Sequence, residues 1–278
     1  MMSRLLRARV GRLPDLPTEP GDRGPTGRWP DNTPAYDTTA TTTITGIADL
    51  PAALANANEG DVIEVGASDW DTGSNLTISN VGNAAWEQRV LVRPPLGQRS
   101  SVRIMDRRLW LQDSDNIIFA GFKFAGNGSG WLTRTDRCGM AWMEFDDDGR
   151  GGVSGATNTD LYEFVREEMM LRETNLSAIH LWRNSGEIPT DGLTAIGWWH
   201  AGQFRPEGTS NFNKDTLQTQ HINPSGVNKR IDVIDSVIFS STDKVYQNNN
   251  DGFMSEDYRI INCWMNRPGD PWHEVPEG

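Results

Sequence analysis

The sequence predicts an all-β chain that winds into a solenoid of stacked coils, and three observations support this fold class. A short amphipathic segment near residue 50 passes directly into an apolar strand. Apolar runs rich in β-branched residues then recur at steps of about 17 to 28 residues, a period typical of solenoids. Hardly any second helical pattern lies between the runs, which argues against the alternating strands and helices of an α/β domain.

The amphipathic segment, about residues 47–58, is the predicted capping helix. Asp49 is placed to cap its start, Pro51 falls in the first turn, and Gly60 supplies a left-handed stop. One apolar stripe follows helical spacing, and it consists of Leu50, Ala53, Leu54 and Ala57. Because a helix this short is marginal alone, we expect the stripe to cover the open end of the strand stack.

Residues 61–65 form the first predicted strand, and the other apolar runs follow along the chain. The runs that set the expected coil length are centred on Ile118, Met143, Phe164, Leu181, Val233 and Ile261. Residues 115–124 have the pattern of one corner, in which a polar turn, a strand, a bend at Gly121 and a second strand follow each other. Residues 229–239 repeat this plan with a bend at Asp235 and Ser236.

The passage from helix to strand over residues 47–65 resembles the N-terminal cap and first coil of right-handed parallel β-helix proteins, the pectate-lyase-like family. The resemblance implies a single right-handed parallel β-helix domain over residues 44–278. Residues 183–214 have few strand signals and much glycine, asparagine and threonine. We expect them to form a long loop excursion from one coil, either as a recognition surface or as an irregular packing loop.

Composition excludes several classes of partner. The net charge of −12 disfavours nucleic acid, and no run reaches the roughly 18 apolar residues that a membrane helix needs. The basic start lacks the apolar core of a secretory signal, so export by the usual route is not expected. Cys138 and Cys263 are far apart and outside any CxxC pattern, which favours two separate buried thiols over a disulfide.

Residues 1–43 are predicted to form an extended arm that is rich in arginine and proline. Arg7, Arg9 and Arg12 make its start basic, and its many prolines prevent residues 13–43 from building a core. Trp29 and Tyr36 are unusual in an inert tail and common as anchors in interfaces. The arm is therefore either a disordered tail or an attachment segment that becomes ordered on a partner.

An unexported solenoid with such an arm resembles bacteriophage tail spikes and related virion appendages. The resemblance implies attachment to other virion proteins through the arm, a homotrimer, a place on the virion surface, and a role in host attachment. It also implies bacterial surface polysaccharide as a ligand. Two alternatives stay open: a polysaccharide depolymerase, acting as lyase or glycoside hydrolase on the same β-helix, and a cellular carbohydrate-active protein.

Polar clusters supply the candidates for chemistry, and no cofactor is expected. Glycoside hydrolysis needs two carboxylates and a lyase needs a base, for which the candidates are Asp215, His221 and Asp251. A hard cation could be held by Asp146, Asp147 and Asp148. Each cluster also has a structural explanation as a solvated turn, an ordinary loop or a stack of asparagines. None has the spacing of a dedicated site.

The chain has 11 tryptophans, which is many for its length. Trp198 and Trp199 fall in the predicted excursion and are the candidates for stacking on sugar rings. Core filling and subunit contacts use tryptophan as readily, so both remain alternatives for this pair.

Overall fold

The computed structural model describes residues 29–126, 128–145, 150–155, 157–162, 165–166, 179–183, 190–197, 199–200, 217–221, 229–234, 236–239, 246–250, 256–261 and 263–266. Within them the chain forms three parallel β-sheets and one short α-helix. This arrangement is consistent with a parallel β-helix, and it confirms the predicted all-β class.

The three sheets are called A, B and C. Sheet A contains β1 (Thr42–Ile44), β2 (Val62–Val65), β5 (Val90–Arg93), β8 (Ile117–Ala120), β11 (Gly139–Ala141), β14 (Thr157–Tyr162), β17 (Asp191–Ile196), β20 (Lys229–Ile234) and β23 (Glu256–Ile261). Sheet B contains β3 (Ser68–Trp70), β6 (Val102–Met105), β9 (Lys123–Ala125), β12 (Glu144–Phe145), β15 (Val165–Arg166), β18 (Trp199–His200), β21 (Val237–Phe239) and β24 (Trp264–Asn266). Sheet C contains β4 (Leu76–Ser79), β7 (Arg108–Gln112), β10 (Ser129–Thr133), β13 (Arg150–Ser154), β16 (Ile179–Arg183), β19 (Leu217–His221) and β22 (Tyr246–Asn250).

From β2 onwards the chain visits sheets A, B and C in turn, so that each strand pairs with the strand three places further along. In-register partners in sheet A lie 21 residues apart between Ile118 and Gly139 and 38 apart between Asp191 and Lys229. The predicted coil length of 17 to 28 residues therefore covers only part of the range. The estimate mixed positions that differ, because Leu181 lies in sheet C whereas Ile118 lies in sheet A.

The core lies between the sheets, where apolar side chains stack in register from coil to coil. One such column of sheet A is Ile63, Val92, Phe119, Met140, Leu161, Ala195 and Val233, each at most 6 % exposed. In sheet B the rings of Phe124 and Phe145 are in register and stack with centroids 5.0 Å apart. Burial of these columns is the main favourable term that holds the coils together.

The corners of successive coils also superimpose. The same backbone conformation recurs at corresponding positions of the corners. A positive φ is found at Asn80, Asp113, Arg134 and Gly155, each of which directly follows an in-register strand of sheet C. A second series lies just before the sheet A strands at Asn116 and Arg137 and at the second residue of the strand at Asn158, Gly192 and Arg230. Asparagine, aspartate and glycine tolerate this conformation best, whereas other residues adopt it at a cost of about 1–2 kcal/mol.

The connection from sheet A to sheet B is two residues long in six successive coils, from β8 to β24. Its first residue has φ of 73° at Gly121, 53° at Trp142 and 66° at Gly197. The strands of both predicted corners are confirmed, since β8 and β9 flank Gly121, and β20 and β21 lie on either side of positions 235–236, of which Ser236 is described. The connections from sheet B to sheet C vary far more, from two residues after β6 to 16 after β18.

The predicted capping helix is present but shorter than residues 47–58. A 3₁₀ turn occupies Ile47–Asp49, and the helix proper, α1, spans Leu50–Ala55. Asp49 does not cap it with its side chain, because the 3₁₀ turn gives Asp49 a helical backbone (φ −85°, ψ −8°). Its carboxylate instead accepts a hydrogen bond from the hydroxyl of Thr45 at 3.2 Å.

The helix covers one end of the stack, as expected. Ile47, Leu50 and Leu54 are buried within the main core cluster, and Ala53 and Ala57 pack against it. The segment contacts β1 and β3, the terminal strands of sheets A and B. The apolar stripe therefore closes the interior beside the first coil.

The predicted loop excursion over residues 183–214 is wrong in part. Residues 191–200 contain β17 and β18, which continue sheets A and B without interruption. Leu193 and Ala195 of β17 are fully buried in the core, while Gly192, Thr194 and Ile196 alternate with them and are only half-buried. That weak alternation, diluted by Gly192 and Gly197, explains why the strand was not recognised from sequence.

Candidate functional site

The outer face of sheet A is covered by the segment that precedes β1. Trp29 and Tyr36 are 1 % and 4 % exposed, and their rings pack on Trp142 with centroid distances of 4.4 and 5.1 Å. The three rings lie in one cluster with Val62, Leu91, Ile118, Ala120 and Ala141 of sheet A. These apolar residues face away from the core, so they require a cover of their own.

A buried ion pair fastens the same segment. The guanidinium of Arg93, 1 % exposed, donates to Glu64 at 2.7 Å and to the carbonyl of Thr38 at 3.0 Å. The prediction that Trp29 and Tyr36 attach the chain to a partner is therefore corrected, because both rings pack within the chain itself. The folded part correspondingly begins by Trp29 rather than after residue 43.

The outer face of sheet B carries a ladder of charges. In-register side chains run from Asp69 to Arg103, Lys123 and Glu144, with ion pairs between Asp69 and Arg103 and between Lys123 and Glu144 (2.7 Å). Asp69 and Arg103 of this ladder line an open groove of about 460 Å³, together with Ala67, Ser68, Ser100 and Ser101. Hydrogen bonding from Arg103 lowers the pKa of Asp69, so this carboxylate stays ionised and is unsuited to donate a proton near neutral pH.

The outer face of sheet C has a different composition. Its seven strands contain no aspartate or glutamate, although the chain has 38 acidic residues. Strand alternation places Leu109 and Leu111 in the core and leaves Trp110 on the outer face. Trp131, which is in register with Trp110, lies beside it on the next strand.

Hydrogen bonds fix both indole rings in place. The indole N–H of Trp110 donates to the hydroxyl of Thr133 at 2.9 Å, and that of Trp131 donates to the hydroxyl of Ser129 at 3.1 Å. The rings meet edge to face with centroids 6.4 Å apart. Trp110 is half-buried, whereas Trp131 is 7 % exposed. The face thus presents Trp110 to solvent, and the buried ring of Trp131 packs against it from the neighbouring strand.

Arg108 covers the ring of Trp131. Its guanidinium carbon lies 4.1 Å from the ring centroid, a cation–π contact, and burial lowers the pKa of the guanidinium. Beyond Trp131, the same register position is occupied by Gly152, His180, Gln218 and Gln247 on successive strands. On the described strands β7 and β10, the aromatic side chains of Trp110 and Trp131 share the outer face with the amide of Gln112 and the hydroxyl groups of Ser129 and Thr133, a composition suited to ligands with many hydroxyl groups.

The predicted residues that the structure describes are not among those of this site. Trp199 lies in β18 of sheet B, and His221 ends β19 of sheet C, in register with Arg183 and Asn250. The remaining predicted positions lie outside the described residues: Arg7, Arg9, Arg12, Asp146, Asp147, Asp148, Trp198, Asp215 and Asp251. Trp110 and Trp131 were missed, although the alternation of Trp110 with two leucines is a signal for an outward tryptophan.

Three further features of the described residues concern possible metal ligands, the cysteine thiols and the length of the helices. No cluster of three histidine, cysteine or acidic side chains suited to a metal ion occurs there. Cys138 and Cys263 are both free; Cys138 is buried, which raises its pKa to about 12, and Cys263 is only half-buried. No helix in the described ranges is long and apolar enough to cross a bilayer.

Comparison with known proteins yields a distant structural likeness. No protein-family profile and no curated protein matches the chain. Among solved structures, pectate lyase Pel9A is similar, with a TM-score of 0.32 and 11 % sequence identity over 86 % of this chain and 82 % of that one. A likeness at this level says nothing about the ligand or the residues of the site.

Proposed function

We propose that this protein binds a glycan along the outer face of sheet C. The observation that carries the proposal is the pairing of Trp110 and Trp131 with hydroxyl and amide residues on a face whose strands have no acidic residue. A sugar ring has apolar C–H faces and polar edges. An indole held by its own N–H and surrounded by hydroxyl groups can meet both.

The shape of the surface supports an extended ligand. Strands of one sheet lie about 4.8 Å apart, so the seven strands of sheet C span close to 30 Å. That length matches several consecutive sugar units. The groove on sheet B is shorter, and its charges already pair with one another, which leaves fewer groups for a ligand.

The test is a substitution that removes the exposed ring. We expect Trp110→Ala to weaken binding to the polysaccharide recognised in a panel of acidic and neutral bacterial glycans by at least about tenfold. Trp110→Phe should keep most of the affinity, because a flat ring remains. Binding is measured by biolayer interferometry, and new reducing ends are scored in parallel to detect a depolymerase.

Asp69→Asn on sheet B is the matched control, and it should leave glycan binding unchanged. If Asp69→Asn abolished binding while Trp110→Ala did not, the ligand would lie in the groove of sheet B. Binding to no member of the panel by the wild type would contradict the proposal as a whole.

We further propose that the coils wind right-handed and that the chain is a bacteriophage appendage, trimeric and attached to the particle through its N-terminal region. Six arginines lie within residues 1–28, against a net charge of −12 for the whole chain, which supports a separate docking role for this region. Deleting residues 1–28 should leave a folded protein that no longer enters particles. Undiminished incorporation, scored by immunoblot of purified particles, would refute the attachment role.

A further inference from the structure

Arg108 differs from the other arginines that the structure describes. Six cations pair with a carboxylate: Arg93, Arg103, Lys123, Arg134, Arg230 and Arg259. Arg99, Arg107 and Arg137 donate to backbone carbonyls. The guanidinium of Arg108, by contrast, makes no hydrogen bond or ion pair with any residue in the described part of the chain, although acidic residues outnumber basic ones by 38 to 26.

The contact with Trp131 leaves the donors of Arg108 unused. A guanidinium carries five N–H groups in its own plane, and a ring beneath that plane satisfies none of them. Stacking on Trp131 instead fixes the position and orientation of the guanidinium and its fork of N–H groups, because a hydrogen bond to Ser129 holds the ring of Trp131 in place. Arg108 is half-buried, so part of its hydration has been given up without a protein acceptor in return.

The strands on either side of Arg108 contain no acidic residue. Its in-register neighbours in sheet C are Ser129 and, one strand further, Arg150. Asn75, which precedes β4 and is exposed, accepts the backbone N–H of Arg108 at 3.1 Å. An incoming oxyanion therefore meets the guanidinium of Arg108 beside an exposed amide, and no carboxylate of these strands repels it.

We propose that the glycan bound on sheet C carries an anionic substituent, and that Arg108, stacked on Trp131, binds this oxyanion through its free N–H fork. The inference rests on the proposed function, because it names the class of sugar that the face selects. The apolar face of the sugar ring stacks on Trp110, and the anionic substituent of the sugar binds the guanidinium of Arg108. A carboxylate, a sulfate and a phosphate share the planar or tripod oxygen geometry that a guanidinium can bridge.

The test compares five soluble probes: the four sugars glucose, glucuronic acid, glucose 6-sulfate and glucose 6-phosphate, and acetate as a simple anion. Affinities of the wild type, Arg108→Gln, Arg108→Lys and the control Arg134→Gln are measured by ligand-observed NMR, with tryptophan fluorescence as a second readout. We expect at least one anionic sugar to bind the wild type about tenfold or more tightly than glucose, since charge-assisted hydrogen bonds are the strong ones. The best anionic probe identifies the substituent.

The variants decide whether Arg108 causes the preference. Arg108→Gln should make the affinities for glucose and for the anionic sugars equal, and Arg108→Lys should keep only part of the preference, because lysine has the charge without the fork. Arg134→Gln, which lies at the corner after β10 and pairs with Asp113, should behave as the wild type. Circular dichroism of Arg108→Lys, which retains the charge, checks that any loss is not caused by unfolding.

Two results would overturn the inference while leaving glycan binding intact: equal affinity of the wild type for glucose and every anionic probe, or an unchanged preference in Arg108→Gln. Acetate that binds as tightly as glucuronic acid would reduce the site to a simple anion site and refute the sugar part. Failure of all four sugars to bind would refute the proposed function together with the inference.

Discussion

Replacing Gly82 by alanine is expected to destabilise the protein by upwards of about 4 kcal/mol, a large part of the roughly 5–15 kcal/mol by which native domains are stable. Gly82 has φ of 79°, and a Cβ atom there would lie 1.8 Å from the backbone oxygen of Asp115. The positive φ and the contact with the oxygen of Asp115 are both features of the backbone, so a change of side-chain rotamer cannot relieve either of them. The backbone N–H of Asp115 donates to the carbonyl of Val81, and this bond between neighbouring coils would have to break to relieve the contact.

Gly97→Ala is the matched control for this substitution. Gly97 has a similar φ of 73°, but no atom lies within 4 Å of the position of its added Cβ. Its expected cost is therefore only the left-handed term of about 1–2 kcal/mol. Urea denaturation followed by circular dichroism measures both variants, and equal losses in the two would show that the close approach of the coils at Gly82 is not what the site depends on.

The second large effect concerns the aromatic cluster outside sheet A. Trp29→Ala and Trp142→Ala should each destabilise the protein by about 3–5 kcal/mol, because each removes a fully buried indole. Their rings lie 4.4 Å apart, so the double variant should lose less than the sum, by about 0.5–3 kcal/mol. The free energies of unfolding come from urea titrations of the wild type, the two single variants and the double variant.

Trp29→Ala combined with Trp110→Ala is the control cycle, since Trp110 lies on the outer face of sheet C and belongs to neither core cluster. The losses in that cycle should add within about 0.5 kcal/mol. Additive losses for Trp29 and Trp142 as well would contradict the packing of the N-terminal segment on its own chain. That outcome would restore the expectation that Trp29 serves a partner.

Local patterns in the sequence were sufficient for part of the fold. The stripe of Leu50 and Leu54 predicts the capping helix, and the corner around Gly121 predicts two strands with their bend. Both depend on neighbours a few residues apart, where spacing and turn chemistry determine the outcome. The helix begins at Leu50 rather than at Ile47, because the tighter 3₁₀ turn at Ile47–Asp49 uses residues that an α-helix would otherwise have included.

The remaining features depend on contacts that sequence spacing does not encode. Trp142 adopts a left-handed backbone at a position where other coils have Gly121 or Gly197, and nothing local predicts this for tryptophan. Its indole is stabilised by Trp29, more than a hundred residues earlier in the chain. The stack of Arg108 on Trp131 likewise joins neighbouring coils, so it becomes visible only when the register of β7 and β10 is known.

The unequal connections between the sheets separate a fixed part of the molecule from an adaptable part. From β8 to β24 two residues join sheet A to sheet B in every coil, whereas eight residues join β5 to β6. An insertion into one of the two-residue connections would push the adjoining strands out of register. The connection from sheet B to sheet C ranges from two to 16 residues in length, and in the coil of β6 and β7 it leads directly into the strand that carries Trp110. Diversification, whether natural or in a designed library, therefore has a permitted place next to the proposed glycan-binding face, where new sequence can alter selectivity without changing the stacked strands.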